Sequence, residues 1–235
     1  MVKKSSKGKE KKLARKAATE RAAALAAQLR SLEAGSAVGA ELAAQYPAFL
    51  RYRRNGLACA LRFFAAAELP AELADWALGL TRAHMADLYD SCPGWGWSDA
   101  KKRAELTHPS ARYLLGQPLA FLHYRFEEEE GEVVLYCYEI QVAQPAQGKG
   151  VGRFLMQLLE LIGRRSGVAR LILTVFHANT AATAMYRRLG YVLDDDSPGA
   201  VDPSGDHKYE IMTKRLQQPS KQVQEAQQQA CAALA

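Results

Sequence analysis

The sequence predicts an α/β protein: a mixed, mostly antiparallel central sheet flanked by helices, with a helical arm in front of it. Three observations lead there. Strand-like runs follow one another through residues 111–142, separated by short turn signals. Beyond a glycine-rich stretch the pattern changes to helix, strand, helix, strand. And of the 235 residues 49% are hydrophobic and 24% charged, the balance of a globular domain that can fill a core.

The arm comes first. Residues 1–30 hold ten Lys and Arg against Glu10 and Glu20, a net of +8; the whole chain is +6, so residues 31–235 sum to −2. From about Lys9 the arm is rich in Ala, Lys, Arg, Glu and Leu, which favours helix. It reads as a solvated, partly docked helix, or as a nuclear-import signal or contact with nucleic acid, chromatin or ribosome. We divide the chain into a basic helical arm at 1–39, one domain at 40–216, and a Gln- and Ala-rich, poorly packed tail at 217–235.

Within the domain, GLACALRFFAA reads as a strand and LPAELADWALGLTRAHMADLYDS as a helix with Pro70 in its first turn. PGWGWS is a loop and DAKKRAELTH a short polar helix. ARYLLG, PLAFLHYRFE and EVVLYCYEIQV are strands, divided by Gly116-Gln117-Pro118 and by the acidic Glu127–Gly131. GRFLMQLLELIGRRSG is an amphipathic helix that Gly167 can end. RLILTVF, NTAATAMYRRLG, YVLD and KYEIMTK complete the chain as strand, helix, short strand and strand.

Cys59, Cys92, Cys137 and Cys231 form no CxxC pair and no ligand spacing with histidine, so they read as free thiols, and neither a disulfide framework nor a metal site is expected. No apolar run approaches the ~20 residues of a membrane span, and no secretory segment follows the start. The expectation is a monomer of the cytoplasm and nucleus without membrane contact.

The stretch Gln147-Gly148-Lys149-Gly150-Val151-Gly152-Arg153 joins a strand to a helix. Lys149 is followed by Gly150 rather than Ser or Thr, which excludes a triphosphate-binding P-loop. The glycines are spaced GxGxG rather than GxGxxG, which excludes a dinucleotide turn. What remains is bare backbone at a helix N-terminus, a cradle for an anion, or a glycine-rich connection set by packing.

The loop resembles the Q/R-x-x-G-x-G/A pyrophosphate loop of the GNAT N-acetyltransferase superfamily. Asn179, Ala182 and Tyr186, followed by Leu189-Gly190-Tyr191, are similar to its N-x-x-A-x-x-x-Y-x-x-x-G-[FY] segment, one helix and one strand downstream. The resemblance implies a single GNAT fold and acetyl-CoA as cosubstrate. Gln147–Arg153 and Asn179 would hold it, and Ile140, Gln141 and Val142 would lend backbone to its pantetheine arm. KKSSKGKEKK, RYRRNGL, GWGW, FLHYRFE, LYCYE, LTVF and DDDSPG narrow the resemblance to the histone-specific N-terminal acetyltransferases, the N-alpha-acetyltransferase D family, up to about residue 214. That family acetylates the α-amine of histone tails beginning Ser-Gly-Arg-Gly.

The chemistry suits that substrate. An α-amine has a pKa of roughly 7.7–8.0 against about 10.4 for lysine, a gap worth roughly 3.5 kcal/mol of deprotonation. A modest base therefore suffices. Glu139 is the candidate, or else a carboxylate satisfied by a neighbouring cation. Tyr186 either protonates the departing thiolate or packs, and Asn179 caps its helix, touches the cofactor, or both. Tyr89, Trp95, Glu127, Tyr136, Tyr138, Thr174 and Tyr209 match the family's peptide-binding positions. Two departures are Glu127, where the family often has Asp, and one extra residue between Tyr89 and Trp95. The acids at Glu127–Glu130 and Asp194–Asp196 suit the cations of a histone tail, or simply face solvent; Trp95 and Trp97 could instead cap the core. In a regular strand Tyr136 and Tyr138 share a face that Glu139 does not. If Tyr138 and Glu139 both serve the site, the strand must bulge within Tyr138–Val142. Two rivals remain: an acetyltransferase of lysine side chains or another amine, and a non-catalytic chromatin or RNA adaptor.

Overall fold

A computed structural model describes residues 4–34, 44, 47–116 and 118–216. β3 (Arg62–Ala65), β4 (Arg112–Gly116), β5 (Ala120–Glu129), β6 (Glu132–Val142), β7 (Arg170–Phe176), β9 (Tyr209–Arg215) and β8 (Val192–Leu193) lie side by side in that order. Only β6 and β7 run parallel; every other pair in this sheet is antiparallel. The reason is connection length. Glu130 and Gly131, both at positive φ (52° and 78°), close β5 onto β6 as a two-residue hairpin. Between β6 and β7 runs a helical crossover, α4 (Val151–Arg165), which returns the chain in the same direction.

The two faces of the sheet bury separate cores. Along β5, Phe121 and its fellows at alternate positions face α2 (Ala71–Asp90) and α3 (Asp99–Leu106), where Phe64, Leu73, Leu78, Leu106, Tyr113 and Phe121 pack together. Leu122, Tyr124 and Phe126 face the other way, joined by Leu135 and Cys137 of β6 and by Leu155, Leu159 and Ile162 of α4. Each such leucine contributes roughly 1.5–3 kcal/mol by leaving water.

α1 (Lys4–Ala34) is longer than its composition suggested, 31 residues or about 46 Å. Residues 11–24 are exposed, whereas Leu25, Leu29 and Leu32 pack against the second core. Its end is fastened: Ser110 Oγ donates to Glu33 Oε1 at 2.6 Å, and the Arg112 guanidinium donates to the Glu33 carbonyl. The boundary placed at 39/40 and the tail 217–235 lie outside the described residues.

Two features differ from expectation. GLACALRFFAA divides at Leu61, whose N–H turns to the Leu50 carbonyl (2.7 Å). Its first half, β2 (Leu57–Ala60), pairs with an unforeseen strand, β1 (Arg51–Arg54), across an Asn55-Gly56 turn at φ 52° and 71°. Asn-Gly between strand-like residues is the usual signal for such a turn. The acidic run Glu127–Gly131 is also mostly strand, with only Glu130-Gly131 forming the turn. α5 (Thr180–Arg188) and a short α6 (Pro198–Val201) complete the described chain.

Candidate active site

The sheet opens in its middle. β6 and β7 pair only at Leu135–Cys137 with Leu171–Leu173, although β6 continues to Val142 and β7 to Phe176. From Tyr138 to Val142, the edge of β6 that faces β7 has no strand partner among the described residues. On its other edge β6 carries a bulge. Tyr124 lies opposite Cys137 and His123 opposite Glu139, so Tyr138 is the extra residue. Cys137 points into the α4-side core, and regular alternation would send Glu139 after it. The added residue instead leaves Tyr138 on the face of Tyr136 and brings Glu139 onto that face too, the bulge expected if both residues serve one site.

Tyr138 is held on every side. Its ring stacks on His123 (5.1 Å), lies under the Arg125 guanidinium (4.3 Å) and touches Tyr136 (4.9 Å), while its hydroxyl donates to Glu127 at 2.9 Å. The Tyr136 and Thr174 hydroxyls are 2.7 Å apart across the opening. Glu139 is buried: Lys102 donates to Oε1 at 2.7 Å and Gln141 to Oε2 at 2.9 Å. Lys102 also donates to Tyr89 (2.9 Å) and Glu105 (2.8 Å). Burial alone would lower the Lys102 pKa, but Glu139 and then Glu105 outweigh it and hold the ammonium charged above its usual range. Burial, then Glu139, pushes the Tyr89 phenol up to about 12.

Beside this network stands an aromatic cluster. Trp95 touches Tyr89 (5.5 Å), Phe176 (5.3 Å) and Tyr209 (4.8 Å). Trp95 remains 37% exposed and lines, with Tyr89, Trp97, Lys101 and Lys102, a cleft of about 380 Å³. Trp97 instead packs against the α2–α3 core and donates to Asp99. All seven expected peptide positions thus gather near the end of the β6–β7 ladder, with Tyr89 held between Trp95 and Lys102.

The glycine loop runs from β6 into α4. Gly148 and Gly150 have φ of 70° and 89°, a region that L side chains avoid. A Cβ on Gly150 would lie 3.0 Å from the Tyr52 hydroxyl, and one on Gly152 would lie 3.2 Å from Met185 Sδ. No side chain caps α4 at Gly150, so its first-turn N–H groups face outward as a cradle. From behind, Tyr52 Oη and Asn55 Nδ2 (2.9 Å) both donate to the Lys149 carbonyl. Gln147 Nε2 donates to the Val142 carbonyl at 2.9 Å, tying the loop to the strand it leaves. Val151 is buried and Arg153 exposed at the mouth of the helix. Open backbone on β6 and an uncapped, positively flanked helix N-terminus fit a pyrophosphate on an extended arm.

Asn179, Tyr186, Asp194 and Glu130 are engaged within the fold itself. Asn179 Oδ1 accepts from the Ala182 N–H at 3.3 Å, so this side chain caps α5. Tyr186 is buried in the core against Tyr191, and burial raises its phenol well above the ordinary value. Asp194 and Glu130 are not free acids for a substrate, since both join Glu132 around Arg170. Glu127 and Glu129 remain beside the site, the Glu129 carboxyl raised by burial and then by Glu127. Lys102 is the neighbouring cation that the alternative for Glu139 called for, though the sequence did not name it, and His123 was not anticipated. Lys102 lies four residues before the buried Leu106, on the inward face of α3, which is the signal the sequence offered. Among the described residues no group of His, Cys, Asp and Glu could hold a metal ion, and no helix is long and apolar enough to cross a membrane.

Residues 82–191 match the Acetyltransferase (GNAT) family. N-alpha-acetyltransferase 40 of Saccharomyces cerevisiae is 33% identical over 133 residues, 46% of this chain and 46% of its own. Mycothiol acetyltransferase of Jonesia denitrificans is 32% identical over 92 residues, 39% of this chain and 29% of its own. The chain therefore spans less than half the length of these curated relatives. Among solved structures, yncA of Salmonella typhimurium with its cofactor acetyl-CoA shares 16% identity at a TM-score of 0.49, over 69% of this chain and 96% of that one.

Proposed function

With a GNAT acetyltransferase segment at residues 82–191 as premise, we propose that this protein acetylates the α-amine of an N-terminal serine in histone tails beginning Ser-Gly-Arg-Gly. The observation that carries the proposal is the bulge at Tyr138. It puts a buried carboxylate, Glu139, beside Tyr136, Tyr138 and Thr174, where β6 past Cys137 offers backbone that β7 does not pair.

Acetyl-CoA supplies the thioester carbonyl to be attacked and the thiolate that leaves. The loop Gln147–Arg153 holds its pyrophosphate, and Ile140, Gln141 and Val142 pair with its arm. Glu139 takes the proton of the attacking amine, directly or through a water, and Tyr186, which keeps its own proton at neutral pH, supplies one to the thiolate. Tyr136, Tyr138 and Thr174 orient the first residues of the tail. Trp95, Tyr89 and Tyr209 flank them, while Glu127 and Glu129 meet the arginine that follows.

The basic arm gives a second point of contact. Lys11, Lys12, Arg15 and Lys16 stand exposed on the undocked part of α1 and suit a polyanion, such as the nucleic acid of chromatin or of a ribosome, in the nucleus and cytoplasm.

The test offers acetyl-CoA with a Ser-Gly-Arg-Gly peptide, the same peptide blocked at its N-terminus, and a Met-initiated control. Acetylation of the first alone is expected. Acetylation of the blocked peptide would mark a lysine acetyltransferase. Equal use of the control would remove the tail specificity. Salt-dependent nucleic-acid binding without turnover would mark an adaptor.

A further inference from the structure

The proposed base is not alone in its pocket. Lys102 is 5% exposed, and its three donors are all used, on Glu139, Glu105 and Tyr89. The other oxygen of Glu139 takes the Gln141 amide, whose own oxygen lies 2.9 Å from His84 Nδ1 on α2. α3, which carries Lys102, is strapped to α2 by Arg82–Asp99 and Arg103–Asp75 pairs.

We infer that Lys102 is a positioning residue, whose buried ammonium fixes the Glu139 carboxylate and the Tyr89 hydroxyl as one unit on the substrate face. The inference rests on the base role proposed for Glu139. Without the ammonium, a carboxylate at this depth would be driven toward its neutral form, which cannot accept a proton. With it, both carboxylate oxygens are fixed and aimed, one by Lys102 and one by Gln141. The pairing has a second effect. A carboxylate whose two oxygens are already bonded to Lys102 and Gln141 has little capacity left with which to hold a substrate ammonium. The site therefore favours an amine that arrives neutral, which near pH 7 an α-amine does far more often than a lysine. The charged or titratable groups packed around Glu139 are Tyr89 on α2, Lys102 and Glu105 on α3, Tyr113 on β4 and His123, its ladder partner on β5, with Cys137 on β6 and Tyr186 on α5 acting from the other face of the sheet. Among these described residues Lys102 is the group held as a cation, since burial lowers the His123 pKa well below its ordinary value.

The experiment measures pH–rate profiles of the full chain for Lys102→Met, Lys102→Arg, Glu139→Gln and the Lys102→Met/Glu139→Gln pair, using whichever amine the wild type acetylates. Lys102→Met is expected to lower kcat about 100-fold at pH 6.5. Its acid limb should move to higher pH by about one unit or more, with the KM for acetyl-CoA changed less than about threefold. Lys102→Arg should restore most of the rate, and the pair should be no slower than Glu139→Gln alone. An unmoved acid limb, or losses that multiply in the pair, would overturn the inference. If Lys102→Met does not fold, Tyr89→Phe decides: a several-fold fall in kcat at constant KM for acetyl-CoA supports the unit, and an unchanged kcat overturns it. Turnover of lysine amines alone would sink the α-amine proposal while leaving the Lys102 coupling readable. A wild type that acetylates no amine overturns both.

Discussion

Tyr136 and Thr174 share a 2.7 Å hydrogen bond across the gap where β6 and β7 part. It is the link between the strands just past their last ladder pair, on the face assigned to the peptide. Thr174→Val keeps the shape and removes the partner of the Tyr136 hydroxyl. We expect a stability loss of about 1 kcal/mol and a several-fold rise in peptide KM, with acetyl-CoA KM unchanged. Steady-state kinetics with each substrate varied in turn would show the split, and a change confined to acetyl-CoA KM would contradict it.

Gly148 and Gly150 separate two costs. Both need positive φ, but a Cβ on Gly148 meets open space whereas one on Gly150 meets the Tyr52 hydroxyl. Gly148→Ala should destabilise by about 1–2 kcal/mol from backbone strain alone. Gly150→Ala should exceed it and raise acetyl-CoA KM further. Thermal melts and cofactor titration check the order.

His123 lies fully buried between Tyr113 and Tyr138, and burial, then Arg125, holds its pKa well below 6.5. Once unfolded it takes up a proton below about pH 6.5, which the folded protein refuses. The unfolded state then binds more protons, so stability present above pH 6.5 is lost as the pH falls, by up to about 1.4 kcal/mol per unit from this group. Urea unfolding from pH 7 to pH 5 should show that slope, and His123→Phe should flatten it.

Tyr186→Phe removes only a hydroxyl from a packed ring. If that hydroxyl is the proton donor, kcat should fall about tenfold or more at nearly constant melting temperature. An unchanged kcat would leave Tyr186 as a packing residue beside Tyr191.

Removing residues 1–20 takes away the exposed stretch 11–20 of α1, whereas Leu29→Ala cuts into the docked part of the helix. The truncation should leave the melting temperature and peptide turnover nearly unchanged and abolish salt-sensitive nucleic-acid binding. Leu29→Ala should cost about 1–2 kcal/mol of stability. A truncated protein that binds nucleic acid as before would remove the arm from that role.

Much of the site could be read from the chain because its logic is local. The loop Gln147–Arg153 declares itself by glycine spacing, and the bulge followed from asking Tyr138 and Glu139 to serve one face. What escaped depends on groups far apart in sequence. Lys102 is one of two adjacent lysines in a polar helix, and nothing near it announces a carboxylate 37 residues on. Asp194 reads as one of three exposed acids until Arg170, 24 residues earlier, claims it. The β1–β2 hairpin went unforeseen although Asn55-Gly56 carried its signal, and its contact with the glycine loop had no local signal at all.

That contact reaches across 97 residues, from Tyr52 to the Lys149 carbonyl. The strand, loop and helix of the cradle are neighbours in the chain and can form early, but the clamp behind them requires one of the longest closures in the domain. During refolding, acetyl-CoA affinity should therefore lag behind the helical signal. A fragment limited to residues 82–191 lacks both Tyr52 and Asn55 and would carry the cradle without its brace.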